Sequence, residues 1–168
     1  MTTAIDEACP LVGRTFRVDA FVDREFERVR SYVSASPESL LGDGVTSVHV
    51  GWAGLDLSRP VRVTGGDLEM GSRFARIPLR WADARHPERF PVLNATLEVN
   101  PALYGQRPTT QLVLTGSYLP PFGRFGAAAD ALFGHHLVLQ SVDQFLARLA
   151  GCLERDIPPE PVRWRKEP

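Results

Sequence analysis

Two neighbouring histidines, His135 and His136, are the side chains in this sequence with the clearest capacity for chemistry. They lie in a proline-free stretch, from about residue 125 to 153, whose apolar residues recur at helical spacing. This spacing predicts a helix about 45 Å long. On that helix His135 falls in the middle of the apolar half, and His136 falls at its boundary with water. His135 is therefore either a contact for a bound molecule or a core histidine with a partner inside the protein.

The sequence contains no other pattern typical of catalysis or metal binding. It has no GxSxG, HExxH, phosphate-binding loop or carboxylate pair. Its two cysteines, Cys9 and Cys152, form neither a CxxC pair nor a cluster with histidine. This predicts two reduced thiols, no metal and no cofactor. His135 is the only inward-facing candidate for a general acid or base, so no catalytic residue is assigned beyond it.

Length and charge restrict the class of protein. The chain has 168 residues, which favours one domain. Its 19 basic and 20 acidic residues give a net charge of −1, and this balance argues against nucleic acid as a partner. No apolar run approaches the roughly 20 residues of a membrane span, which argues against integral membrane association. The first residues lack the pattern of a signal peptide, so we expect a cytoplasmic protein.

The elements that must position the histidines begin with a strand, because residues 14–22 alternate apolar and polar side chains. Asp23 is predicted to cap a first short helix, and Ser36 a second. Five further stretches alternate with period two and are separated by turn residues, which favours an antiparallel sheet covered on one face. These stretches are residues 45–54, 59–66, 72–83, 91–101 and 109–119.

The last strand and the long helix meet at a corner rich in proline and glycine. Pro120 and Pro121 lack the N–H that a sheet requires, so the strand must end there. This region resembles the last strand, corner and helix of bacterial members of the START/polyketide-cyclase (SRPBCC) superfamily. The residues that carry the resemblance are Pro120, Pro121, Gly123, Gly126, Asp130, His135, Phe145, Leu146, Leu149 and Ala150.

The resemblance covers residues 15 to 154 and implies an α+β helix-grip fold. In this fold a curved antiparallel sheet of six or seven strands is joined to two short helices after the first strand. A long C-terminal helix packs across the sheet, with an apolar cavity between them. The resulting domain plan is an N-terminal arm over residues 1–13, a ligand-binding domain over residues 14–154 and a proline-rich tail over residues 155–168.

The function that the resemblance implies is the binding or carrying of a hydrophobic small molecule that is lipid-, sterol- or polyketide-like. The candidate contacts are inward-facing residues of the strands and the long helix. For the aliphatic ones, plain core packing is the competing interpretation. The aromatic ones and the histidine combine an apolar body with a polar group, which suits a binding site. The candidates are Trp52, Leu79, Trp81, Leu97, Leu114, Tyr118, His135 and Leu139.

Two alternatives remain open at this stage. One is a polyketide cyclase or dehydratase that uses His135 as its acid or base. The other is a stress-response or regulatory protein that acts through a surface, for which Phe133, Leu137 and the tail segment PVRWRK are candidates. Because Phe133 and Leu137 lie on the polar side of the helix, they are also candidates for contact with a second subunit in a homodimer or with the two short helices.

Overall fold

The computed structural model describes residues 13–36, 45–52, 55–83, 85, 92–118 and 135–158. Within these ranges, one strand and one helix are followed by six strands and a C-terminal helix. In chain order these elements are β1 (Arg14–Val22), α1 (Phe26–Ala35), β2 (Val45–Trp52), β3 (Leu55–Gly65), β4 (Glu69–Met70), β5 (Ala75–Asp83), β6 (Leu93–Tyr104), β7 (Arg107–Tyr118) and α2 (His135–Asp156).

All strands belong to one curved antiparallel sheet with the order β1-β7-β6-β5-β3-β2, and the short β4 pairs only with β5. Helix α2 packs across this sheet and contacts β7 and both end strands, β1 and β2. This arrangement confirms the predicted α+β helix-grip fold. The second predicted short helix (residues 37–41), the proline-rich corner and most of the predicted tail lie outside the described residues.

The core lies between the inner face of the sheet and α2. The alternation in β5 is confirmed, because Ala75, Ile77, Leu79 and Trp81 are all buried. On α2 the buried side chains recur at helical spacing and face the sheet. Each large apolar side chain that is fully buried stabilises the fold by about 1.5–3 kcal/mol. The helix contributes Val138, Val142, Phe145, Leu146, Leu149, Ala150 and Leu153 to this core.

The start of α1 differs from the expectation. The helix begins at Phe26 with Glu25 as its N-cap, and no side chain caps it. Asp23 was predicted to be the cap and is not, because the chain there is engaged with the far end of α2. The backbone N–H of Asp23 donates a 2.8 Å hydrogen bond to Oε1 of Glu154.

Arg24 extends this contact into what we call the Arg24 clasp, made by Asp23, Arg24, Glu154 and Ile157. The guanidinium donates from Nε to the Ile157 carbonyl at 2.5 Å and from Nη2 to the Glu154 carbonyl at 2.6 Å. Nη1 donates to the Asp23 carbonyl at 2.5 Å. The last carbonyls of a helix have no partner within it, and a cation there also complements the helix dipole. The clasp therefore fixes the C-terminal end of α2.

A second contact at the same end involves Tyr32 of α1, whose hydroxyl donates a 2.7 Å hydrogen bond to Oδ2 of Asp156. This bond, followed by partial burial of the ring, raises the pKa of Tyr32 above its ordinary value of 10.0. The folded protein therefore holds the phenolic proton more tightly than the unfolded chain does. The contribution to stability is complete below about pH 10 and is lost as the pH rises through the raised pKa.

We therefore expect the unfolding free energy of the wild type to fall more steeply with pH than that of Tyr32→Phe in the range above about pH 10. Urea denaturation at a series of pH values measures both slopes. Parallel curves for the two proteins would contradict the assigned role of the Tyr32 proton.

Candidate functional site

The two residues that start the site are Tyr118, the last residue of β7, and His135, the first residue of α2. The Tyr118 hydroxyl lies 3.3 Å from Nδ1 of His135. Their ring planes are 18° apart, with 6.2 Å between the ring centroids. His135 is half-buried and His136 is exposed, which is the difference that the helical projection predicts. The strand end and the helix start are thus joined by a tyrosine–histidine pair.

The sheet beneath this pair carries a row of buried apolar side chains. Tyr118 pairs with Leu93 across β7 and β6, and Leu93 pairs with Trp81 of β5. The Trp81 ring meets Phe145 of α2 edge to face, with centroids 4.8 Å apart. Helix and sheet are therefore in direct contact at the Trp81 end of the row, whereas Tyr118 and His135 lie at the other end.

The adjacent row is lined by small residues. Gly116 of β7 pairs with Ala95 of β6, and Ala95 pairs with Leu79 of β5. Gly116 brings the two strands close together, because a Cβ at this position would collide with the backbone oxygen of Asn94. Ala95 is only half-buried although it lies on the inner face. The inner face beside Tyr118 therefore carries small residues, and its Ala95 is incompletely covered.

The structure separates the predicted site residues into two groups. Most of the candidates on the strands are at most 4% exposed and pack within the core. His135 and Leu139, one helical turn apart on α2, are only half-buried. Trp52 lies on β2, and its side chain is outside the described part of the chain. The tightly buried candidates are Leu79, Trp81, Leu97, Leu114 and Tyr118.

Sequence reasoning did not assign Ala95 or Gly116 to the site. Alternation predicts that Ala95 lies on the inner face, but it does not predict whether neighbouring side chains cover so small a residue. A glycine inside a strand does signal close approach of another backbone, and Gly116 carried that signal. The residues near this pair that are half-buried are Ala95 on the sheet and Leu139 and His135 on the helix.

The described residues give no sign of metal chemistry at this site, since no three His, Cys, Asp or Glu side chains among them are placed to hold an ion. None of the helices in the same part of the chain has the length and apolar character that a membrane span requires. A buried polar atom, Oε1 of Gln140, has no hydrogen-bond partner there. Gln140 follows His135 by five residues, about 140° around the helix, so it belongs to another face.

The sequence matches no protein-family model, and it matches no curated protein. Solved structures with a similar arrangement of elements include a conserved protein from Geobacillus kaustophilus, with 13% identity, a TM-score of 0.47 and coverage of 85% of this chain and 97% of that chain. A protein from Thermus thermophilus shares 18% identity, with a TM-score of 0.46 and coverage of 86% and 100%. The Zhui aromatase/cyclase from Streptomyces sp. R1128 shares 19% identity, with a TM-score of 0.45 and coverage of 88% and 97%.

The element order, the antiparallel sheet and the helix across it are those of a helix-grip protein, so the resemblance seen in the sequence is confirmed at the level of the fold.

Proposed function

We propose that this protein binds or carries an apolar small molecule, lipid-, sterol- or polyketide-like, between the inner face of the sheet and the N-terminal half of α2. The observation that carries the proposal is the half-burial of Ala95, Leu139 and His135 beside side chains that are fully buried. When a ligand covers apolar surface that was in contact with water, the complex is stabilised by about 25 cal/mol for each Å² covered. Sites of this kind are mostly apolar with a few polar groups.

The position of the site follows from how α2 is held. Its C-terminal end is tied down by the Arg24 clasp and by the Tyr32–Asp156 hydrogen bond. At its N-terminal end, within the described part of the chain, the tyrosine–histidine pair joins the helix to the sheet through one pair of polar groups. Among the described residues, the His135 end of the helix has fewer hydrogen bonds to the rest of the protein than the C-terminal end, so we place the ligand at the His135 end.

The proposal is tested by fluorescence titration with N-phenyl-1-naphthylamine, a neutral apolar probe, and by native mass spectrometry for a co-purified lipophilic molecule. We expect the wild type to bind the probe with a dissociation constant on the order of micromolar. Ala95→Leu places a larger side chain at the half-buried position where we place the ligand, and it should weaken binding about tenfold or more.

Ala147→Leu is the matched control, since it makes the same chemical change at an exposed position of α2. It should leave the affinity unchanged. Binding by neither method, or equal affinity in the Ala95→Leu protein and the control, would contradict the proposed site.

A cyclase- or dehydratase-type enzyme is the second candidate, and the tyrosine–histidine pair favours it. An acid or base is most effective when a neighbouring group orients it, as Tyr118 does for His135. Turnover of an aromatic polyketide substrate that His135→Gln does not lower would remove this residue from the chemistry. The proposed partner surface and homodimer contact concern Phe133, the Leu137 side chain and the tail, which lie outside the described residues. These assignments and the cytoplasmic location stay predictions.

A further inference from the structure

We infer that the ligand carries a neutral oxygen acceptor, of which a carbonyl is the simplest, and that this oxygen accepts a hydrogen bond from Nε2 of His135. The inference rests on the proposed function and concerns the class of molecule bound at that site. It follows from the direction of the Tyr118–His135 hydrogen bond, from the surroundings of the imidazole, and from the apolar character of the rest of the site.

The direction of the hydrogen bond comes from the relative acidity of the two groups. A phenol O–H is a much stronger acid than the N–H of a neutral imidazole, and an imidazole nitrogen is a better acceptor than a phenol oxygen. The favoured arrangement therefore has the Tyr118 hydroxyl donating to Nδ1 of His135 across 3.3 Å. A neutral imidazole that accepts at Nδ1 carries its hydrogen on Nε2. In this arrangement Tyr118 sets the tautomer of His135.

The opposite edge of the imidazole is where the ligand is placed. Nε2 of His135 has no hydrogen-bond partner among the residues that the structure describes, and the side chain is half-buried. Before a ligand binds, water accepts the hydrogen bond of this N–H. A ligand that fills the space beside Leu139 and Ala95 displaces that water, so the ligand itself must supply an acceptor or leave a buried donor without a partner.

The remaining surroundings limit the ligand to few polar groups. Leu139 and Ala95 are apolar, and Tyr118 is only 1% exposed, so among the residues that the structure describes the histidine is the polar contact for a ligand here. A molecule with one oxygen acceptor at the end of an apolar body matches that surface. A plain hydrocarbon would leave Nε2–H unpaired, and a site built to hydrogen-bond an oxygen rejects the analogue that lacks it.

The test compares two fluorescent probes that differ in one group: 6-propionyl-2-(dimethylamino)naphthalene, which has a ketone, and its 6-propyl analogue, which has none. We expect the wild type to bind the ketone more tightly, by about 5- to 100-fold after correction for the partition of each probe between water and octanol. The emission of the bound ketone should also show a hydrogen-bonded carbonyl.

His135→Leu should reduce the preference for the ketone to less than about twofold while binding of the propyl probe persists. His135→Gln retains an N–H donor and should keep part of the preference. Tyr118→Phe, in which the positioning hydroxyl is lost, should lower the ratio of the affinity for the ketone to the affinity for the propyl probe. This variant also tests the inference if His135→Leu fails to fold, as judged by circular dichroism.

The outcomes distinguish the two proposals. Equal corrected affinities for both probes in the wild type, or an unchanged preference in His135→Leu, would overturn the inference and leave apolar binding intact. Binding of neither probe would overturn the proposed function, and the inference would fall with it. A preference that depends on His135 and decreases in Tyr118→Phe supports both.

Discussion

Gly116→Ala is expected to destabilise the protein by about 2 kcal/mol or more, although it adds a single methyl group. The added Cβ would collide with the backbone oxygen of Asn94 and stand 2.8 Å from Cα of Ala95. Both atoms belong to the backbone of β6, which is paired with β7 on one side and β5 on the other. Because no flexible side chain can move away, the methyl group fits only if two central strands separate.

Gly151→Ala is the matched control. It lies in the interior of α2, and a Cβ there would meet nothing within 4 Å. Alanine is preferred to glycine inside a helix by about 1 kcal/mol, so this variant should be as stable as the wild type or more stable. Urea unfolding of the three proteins measures the difference. Similar stabilities for Gly116→Ala and Gly151→Ala would show that the sheet accommodates the methyl group, and the close approach assigned to Gly116 would be wrong.

The same substitution reports on the site. Gly116 and Ala95 form the row of the inner face beside Tyr118, and a shift of β7 against β6 would move the tyrosine relative to His135. Where Gly116→Ala remains folded, we therefore expect weaker binding of apolar probes than in the Gly151→Ala control.

The sheet and the orientation of α2 could be predicted from the sequence because both rest on periodicity. Alternation along β5 distinguishes buried Trp81 from exposed Arg80, and 100° steps distinguish half-buried His135 from exposed His136. These patterns arise from the burial of apolar surface, which acts on every residue of an element in the same way. A single residue that breaks the pattern does not change the prediction for the whole element. Phe21 is such a residue, since it is apolar, lies on the outer face and is 48% exposed.

Features that depend on one tertiary contact could not be predicted in this way. Asp23 has a side chain suited to capping a helix, yet its backbone N–H donates a hydrogen bond to Glu154, which is 131 residues away in the chain. Strand β4 has two residues, too few for any period to appear. Whether Leu97 lines a ligand or packs in the core depends on which helix residues lie above it, and that choice is fixed only when α2 docks on the sheet.

Arg24→Met is expected to cost about 2–4 kcal/mol of unfolding free energy, because it removes the centre of the Arg24 clasp. Methionine keeps much of the apolar stem and loses all three hydrogen bonds of the guanidinium. The carbonyls of Glu154 and Ile157 would then lack their charged donor, in a partly buried setting, at the negative end of the helix dipole. Lysine cannot reach both carbonyls with one planar group, so Arg24→Lys should recover only part of the loss.

Arg148→Met is the control for the loss of a positive charge and a polar head. Arg148 lies on α2 with its side chain exposed, and substitutions of this kind usually change stability by less than about 0.5 kcal/mol. Chemical denaturation gives the two free energies, and amide hydrogen exchange of residues 153–157 shows whether the loss is local to the end of α2. Equal stability of Arg24→Met and Arg148→Met would mean that the clasp does not hold the helix.

The clasp also bears on how a ligand enters. If α2 is anchored at Asp156 and yields at His135, then Arg24→Met loosens the anchored end without touching the binding surface. We therefore expect faster exchange at residues 153–157 in this variant, with the preference for a ketone probe unchanged, because that preference depends on His135 and Tyr118 at the opposite end. Loss of the preference together with the clasp would instead mean that α2 moves as one rigid body, and that ligand entry requires the whole helix to lift from the sheet.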